Sequence, residues 1–131
     1  MRVTSLDHLV LTVADIGETV AFYTRVLGMQ AERFQSADGT TRMALAFGVQ
    51  KINLHQAGAE FEPRAAMPGP GSADLCFLTE TPLADWQVHF VAHGLEVEEG
   101  PVARTGATGP ILSLYLRDPD GNLIEVSTPH S

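Results

Sequence analysis

Leu9, Leu11 and Val13 alternate with His8, Val10 and Thr12 behind Asp7, and the β-branched content of this stretch marks it as a strand. The period then changes. Ile16, Val20, Tyr23 and Leu27 fall at intervals of four, three and four, and Asp15 with Glu18 three residues later makes a capping-box start, so a helix follows. Gly28 ends it. Three strands are predicted next, Met29 to Ser36, Thr40 to Phe47 and Lys51 to Gln56, parted by Ala37-Asp38-Gly39 and by a turn at Gly48. The order is βαβββ.

A Pro- and Gly-rich stretch from Gly58 to Ser72 reads as a linker, after which the same order begins again. Asp74 to Thr79 is strand-like, Thr81-Pro82 caps a helix carrying Leu83, Trp86 and Phe90, and Gly94 closes it. Leu95 to Glu99, Ile111 to Arg117 and Asn122 to Ser127 complete the set, the last two joined by Asp118-Pro119-Asp120-Gly121. The interval from His8 to Asp74 is 66 residues and that from His55 to Glu125 is 70, so the halves align as a weak duplication with one small insertion. One domain over 1–131 is expected, with module one at 1–57, the linker at 58–72 and module two at 73–131.

Two such modules, each too small to cover both faces of its sheet, are expected to share a core as an α+β, cup-shaped and partly open β-barrel with helices outside. Period two then sets Leu9, Leu11 and Val13 toward the helix and His8 inward, and the same parity turns His55, Asp74 and Glu125 inward. Two imidazoles and two carboxylates on repeat-equivalent inward positions suit a divalent transition metal with open coordination sites. His89 and His93 stand four apart on the second helix, on what reads as a solvated face.

Composition narrows the function. Sixteen acidic against eight basic residues leave a net charge of −8 and no basic cluster to neutralise phosphates, which argues against nucleic acid. The single cysteine, Cys76, and the lack of a signal-peptide pattern point to a reducing, cytoplasmic setting, and no apolar run is long enough for a membrane helix. Arg104-Thr105-Gly106-Ala107-Thr108-Gly109-Pro110 reads as a lid-like loop with an anion-binding Arg and Thr donors, and Tyr115 and Arg117 fall on the concave face of the next strand.

Leu6-Asp7-His8-Leu9-Val10-Leu11, Phe22-Tyr23-Thr24-Arg25-Val26-Leu27-Gly28-Met29 and Arg117-Asp118-Pro119-Asp120-Gly121-Asn122-Leu123-Ile124-Glu125 together resemble the vicinal oxygen chelate superfamily of glyoxalases, bleomycin resistance proteins and extradiol dioxygenases. Lys51-Ile52-Asn53-Leu54-His55, Gly71-Ser72-Ala73-Asp74-Leu75-Cys76 and Gly100-Pro101-Val102-Ala103-Arg104-Thr105-Gly106 are further similar to the glyoxalase domain-containing protein 5 group.

The resemblance implies a metal-dependent lyase or isomerase acting on a small oxygenated metabolite through a metal-stabilised enediolate. It implies Ni, Zn, Fe, Mn or Co on His8, His55, Asp74 and Glu125, with Glu125 and Asp74 also moving the proton. Arg104, Thr105, Tyr115 and Arg117 are expected to bind the substrate, and a homodimer is expected, with or without exchange of modules. Two alternatives remain open: a ring-cleaving dioxygenase, whose second His position holds Asp74 here, and a metal-independent drug-binding protein. The positions where bacterial glyoxalases contact glutathione hold Thr12 and Ala59.

Overall fold

The computed structural model describes residues 1–130, in two compact units that divide between Pro70 and Gly71. Ser131, the expected end of module two, lies outside the described residues.

The first unit runs β1 (His8–Val13), α1 (Ile16–Arg25), β2 (Gln30–Gln35), β3 (Thr41–Phe47) and β4 (Gln50–Gln56). Its sheet has the order β1-β4-β3-β2, with β1 parallel to β4 and the other pairs antiparallel. Parallel neighbours cannot be joined by a hairpin, and here α1 and two further strands separate them in sequence. Asp15 caps α1 as expected, its Oδ1 accepting the Glu18 N–H at 2.8 Å. Leu11, Val13, Leu45, Ile52 and Leu54 are buried with Phe22 and Tyr23 of the helix. Each such side chain contributes about 1.5–3 kcal/mol.

The second unit repeats this plan with β5 (Asp74–Leu78), α2 (Leu83–Ala92), β6 (Glu99–Thr105), β7 (Pro110–Arg117) and β8 (Leu123–Pro129), in the order β5-β8-β7-β6. Again the first and last strands are the parallel pair. The chain is therefore α+β, built of two βαβββ modules.

The structure departs from the sequence expectations in four places. First, β6 spans Glu99–Thr105, not Leu95 to Glu99, so Arg104 and Thr105 lie on a strand and only the turn at 106–109 remains of the expected lid. A bulge between Glu99 and Val102 hid the strand's periodicity. Gly100 sits there at φ 116°, where a Cβ would collide with the Ser113 carbonyl oxygen. Second, the α2 N-cap is Pro82 without a side-chain bond. Thr79 ties the entry instead, its Oγ1 accepting from the Thr81 N–H and from Trp86 Nε1, both at 3.1 Å. Third, the tail at His130, which its terminal place in the sequence predicts to fray, is held, since the His130 N–H bonds to the Pro110 carbonyl.

The fourth departure concerns repeat alignment. His8 pairs with Lys51 and Asp74 with Leu123, so β4 and β8 correspond with an interval of 72 residues, not 70. The position equivalent to Glu125 is Asn53, and that equivalent to His55 is Ser127.

The Asp118–Asn122 turn is structural, and its two end residues are buried. Asp118 Oδ1 accepts the N–H groups of Asp120 and Asn122, and its Oδ2 takes Asn122 Nδ2 at 2.8 Å. Asn122 Oδ1 in turn accepts the Ala73 N–H at 2.9 Å, fixing the residue before Asp74. Asn122→Ala removes two of these bonds and strands a buried donor and acceptor, so a loss of about 2–4 kcal/mol is expected in urea unfolding. A change below 1 kcal/mol would contradict that role.

Candidate functional site

The four expected ligand positions divide two and two between the units, His8 and His55 in the first, Asp74 and Glu125 in the second. Among the described residues, no three His, Cys, Asp or Glu side chains are gathered as a metal-binding group.

In the second unit the ladder places Asp74, Cys76 and Leu78 of β5 on one face with Leu123, Glu125 and Ser127 of β8 and Ser113, Tyr115 and Arg117 of β7. Asp74 lies opposite Leu123, one two-residue step from Glu125, so the carboxylates are diagonal neighbours. Glu125 is anchored through one oxygen. Ser113 Oγ donates to its Oε2 at 2.5 Å, Ser127 Oγ lies 2.7 Å from Ser113 Oγ, and Cys76 Sγ lies 3.4 Å from Ser127 Oγ. The Ser113 proton goes to the carboxylate, which can only accept, so the hydroxyl chain points toward Glu125.

Arg104 spans the other side of this carboxylate. Its Nε donates to Tyr115 Oη at 3.0 Å, one terminal nitrogen to the Ala103 carbonyl and the other to Glu99 Oε1, both at 3.1 Å. These bonds use three of the five guanidinium N–H groups and leave two for a ligand. Burial raises the Tyr115 pKa, with Glu125 adding to the rise and Arg104 opposing it, so the phenol stays protonated at neutral pH. Burial likewise raises that of Cys76, which stays a thiol. A cavity of about 420 Å³ opens beside these groups, lined by Leu78, Ile111, Arg104, Thr105, Tyr115 and Glu125.

Of the four expected substrate residues, Arg104, Thr105 and Tyr115 line this cavity. Arg117 is turned to a second cleft with Asp74 and Glu98, and its guanidinium is paired bidentately with Glu98 at 2.9 and 3.2 Å.

In the first unit His8, Val10 and Thr12 share a face with Lys51, Asn53 and His55. His8 is exposed, and its Nδ1 lies 2.8 Å from Asp7 Oδ1. A carboxylate only accepts, so Nδ1 carries the proton of this bond, the arrangement found behind metal-ligating imidazoles. His55 pairs with Thr12, four residues beyond His8, and is buried with its ring edge-on to Phe61 at 5.5 Å. Arg42 lies over the other part of that ring, 4.0 Å from the Phe61 centroid.

Asp7, Ser113 and Ser127 contact candidate site residues in ways that the sequence did not reveal. Asp7 was detectable as a carboxylate adjacent to a candidate ligand. The serines were not, since period two alone placed them among neutral strand residues.

The chain matches the sequence profile of the Glyoxalase/Bleomycin resistance protein/Dioxygenase superfamily over residues 5–126, and it belongs to that superfamily. It is 59% identical over 128 residues to the glyoxalase domain-containing protein RDO1 of Mycosarcoma maydis, covering 98% of this chain and 70% of the relative. It is 57% identical over 127 residues to virulence protein STM3117 of Salmonella typhimurium, covering 97% and 85%. The crystal structure of that protein superposes with a TM-score of 0.91 over 99% of this chain and 100% of the other, at 55% identity. A structure from the mobile metagenome of V. Pseudocholerae reaches 0.93 at 58% identity, covering 100% and 98%. No described helix is long and apolar enough to cross a membrane.

Burial first, and then the Arg42 guanidinium, hold the His55 pKa below its ordinary value of 6.5, with Glu60 opposing. The native chain thus binds this proton less readily than the unfolded chain. The stabilisation from the neutral ring is complete above pH 6.5 and is lost as the pH falls below that value. Urea midpoints of the parent protein should fall more steeply than those of His55→Gln as the pH is lowered from 6.5. Parallel profiles would contradict this assignment.

Proposed function

We propose that this protein is a divalent-metal-dependent lyase or isomerase of the glyoxalase kind, moving a proton between adjacent carbons of a small oxygenated metabolite. The observation that supports it is the pair of diagonal carboxylates, Asp74 and Glu125, of which Glu125 lines a cavity together with Arg104. The donor chemistry fits an ion. His8 of the first unit offers an imidazole nitrogen, and Asp74 and Glu125 of the second offer carboxylates, donor types suited to Mn, Fe, Co, Ni or Zn.

The residues assigned to such an ion are His8 and His55 of the first unit and Asp74 and Glu125 of the second. A divalent ion there supplies a Lewis acid that lowers the pKa of a carbon acid next to its oxygen. The chain's own residues do the rest. Glu125 takes and returns the proton on a carboxylate whose Oε2 is braced by Ser113. Arg104, Thr105 and the protonated Tyr115 orient the substrate's oxygens, and Leu78 and Ile111 exclude water from its carbon skeleton. The cavity volume, about 420 Å³, suits a small molecule.

The proposal includes a homodimer. Each sheet ends in edge strands, β1 and β2 in one, β5 and β6 in the other, whose free backbone groups association would cover. Light scattering at micromolar concentration should give twice the chain mass, and a monomer would overturn this part.

Glu125→Gln should abolish turnover while substrate affinity changes little, because an amide cannot accept the proton. With α-hydroxy-carbonyl compounds and hemithioacetals in D₂O, and each metal supplied in turn, deuterium should enter the product at carbon. Oxygen uptake with catechols and no exchange would instead favour ring cleavage. Tight binding of intact ligand without metal would favour a sequestering protein.

A further inference from the structure

The strand positions use His8 and His55 and leave two imidazoles of the second unit without a role, His89 within α2 and His93 at its C-cap. Residues four apart on a helix stand one above the other, with Cβ atoms about 5–6 Å apart. These two rings have come closer than that, with centroids 4.4 Å apart and planes inclined at 56°. The His89 carbonyl accepts twice from His93, from its main-chain N–H at 3.2 Å and from its ring Nδ1 at 2.9 Å. A carbonyl only accepts, so Nδ1 carries the proton of this bond, and in the neutral ring Nε2 is the nitrogen with a lone pair to give. The bond also ties the ring back over the turn that carries His89, so its place is set before any ion arrives. His93 is exposed, and half-buried His89 is held edge-on to Trp86 at 5.6 Å.

A helix cap accounts for the His93 bond, but it does not call for a second imidazole in contact with the first. A divalent ion does. Two nitrogens bound at about 2.0–2.1 Å stand about 3 Å from one another, which rings this close reach by side-chain rotation with the helix left in place. The electrostatic setting also suits a cation. The last turn of a helix carries the negative end of its dipole, and α2 contains no Lys or Arg. Asp85 stands one turn before His89 on the same face, and the net charge of the chain is −8.

We propose that His89 and His93 form a metal site separate from the strand residues, a two-imidazole chelate for a borderline divalent ion, with water in the remaining positions. The affinity of a nitrogen set peaks at Cu(II), with Ni(II) and Zn(II) behind it and Mn(II) far below. The inference is independent of the proposed reaction, since it needs no ion on the carboxylates. Its consequence is that metal carried by the purified protein is summed over places of different preference.

Trp86, the only tryptophan of the chain, is a built-in reporter, because Cu(II) on the neighbouring His89 quenches its fluorescence. Titration of the full-length, metal-free protein with Cu(II) should give saturable quenching. His89→Gln and His93→Gln should each weaken it by about tenfold or more. His89→Gln keeps the main-chain carbonyl that His93 caps, so its effect reports chelation and not the end of the helix. His8→Ala should leave the half-point within about twofold. Zn(II), which does not quench, should compete the quenching away, whereas Mn(II) should not. Cu(II) should also raise the thermal midpoint of the parent more than that of either Gln variant. Half-points unchanged by both Gln substitutions would overturn the inference. So would quenching that His8→Ala abolishes, a result that would return the ion to the strand residues and leave the proposed function standing.

Discussion

In each unit the first strand lies parallel to the last, and this pairing governs where every candidate donor on the strands can stand. A parallel ladder gives one side chain per face for every two residues, and its register decides which of them are neighbours. Here the register brings Asp74 within one step of Glu125 and sets His8 two steps from His55. A slip of one residue in β8 would turn Glu125 to the opposite face while Asp74 stayed in place.

The register is itself held by polar contacts in the second unit. Asp118 and Asn122 close the turn before β8 and bind the backbone just ahead of β5, so the turn fixes both strands that carry carboxylates. Ser113 and Ser127 then set the direction of Glu125 from within the sheet. The site's geometry is thus made of two layers, a buried turn that aligns the strands and a hydroxyl chain that aims one carboxylate. Arg104 is prepared in the same way by Tyr115 and Glu99, so little side-chain freedom is left to lose when a ligand binds.

Much of this was legible from residue order. The βαβββ repeat, the Asp15 cap and the inward parity of His8, Asp74 and Glu125 follow from local periodicity, which is a near-neighbour property. Register is not. It depends on pairing between segments dozens of residues apart, and the alignment of His55 with Glu125 failed because local periodicity gives the face of a residue but not the rung it stands on. The strand at Glu99–Thr105 was hidden for a related reason, since Gly100, Pro101 and a bulge suspend the alternation that identifies strands. Ser113 and Ser127 have no distinguishing pattern at all, and their significance comes only from what lies across the ladder.

Cys76 lies opposite Glu125 on the ladder and joins the hydroxyl chain through Ser127, with its proton retained. A thiol in that state is a poor nucleophile. In the reaction proposed, where a carbonyl compound enters this cleft, this matters to the lifetime of the protein: its one sulfhydryl group, which lines the cavity, is kept in the form least able to be consumed.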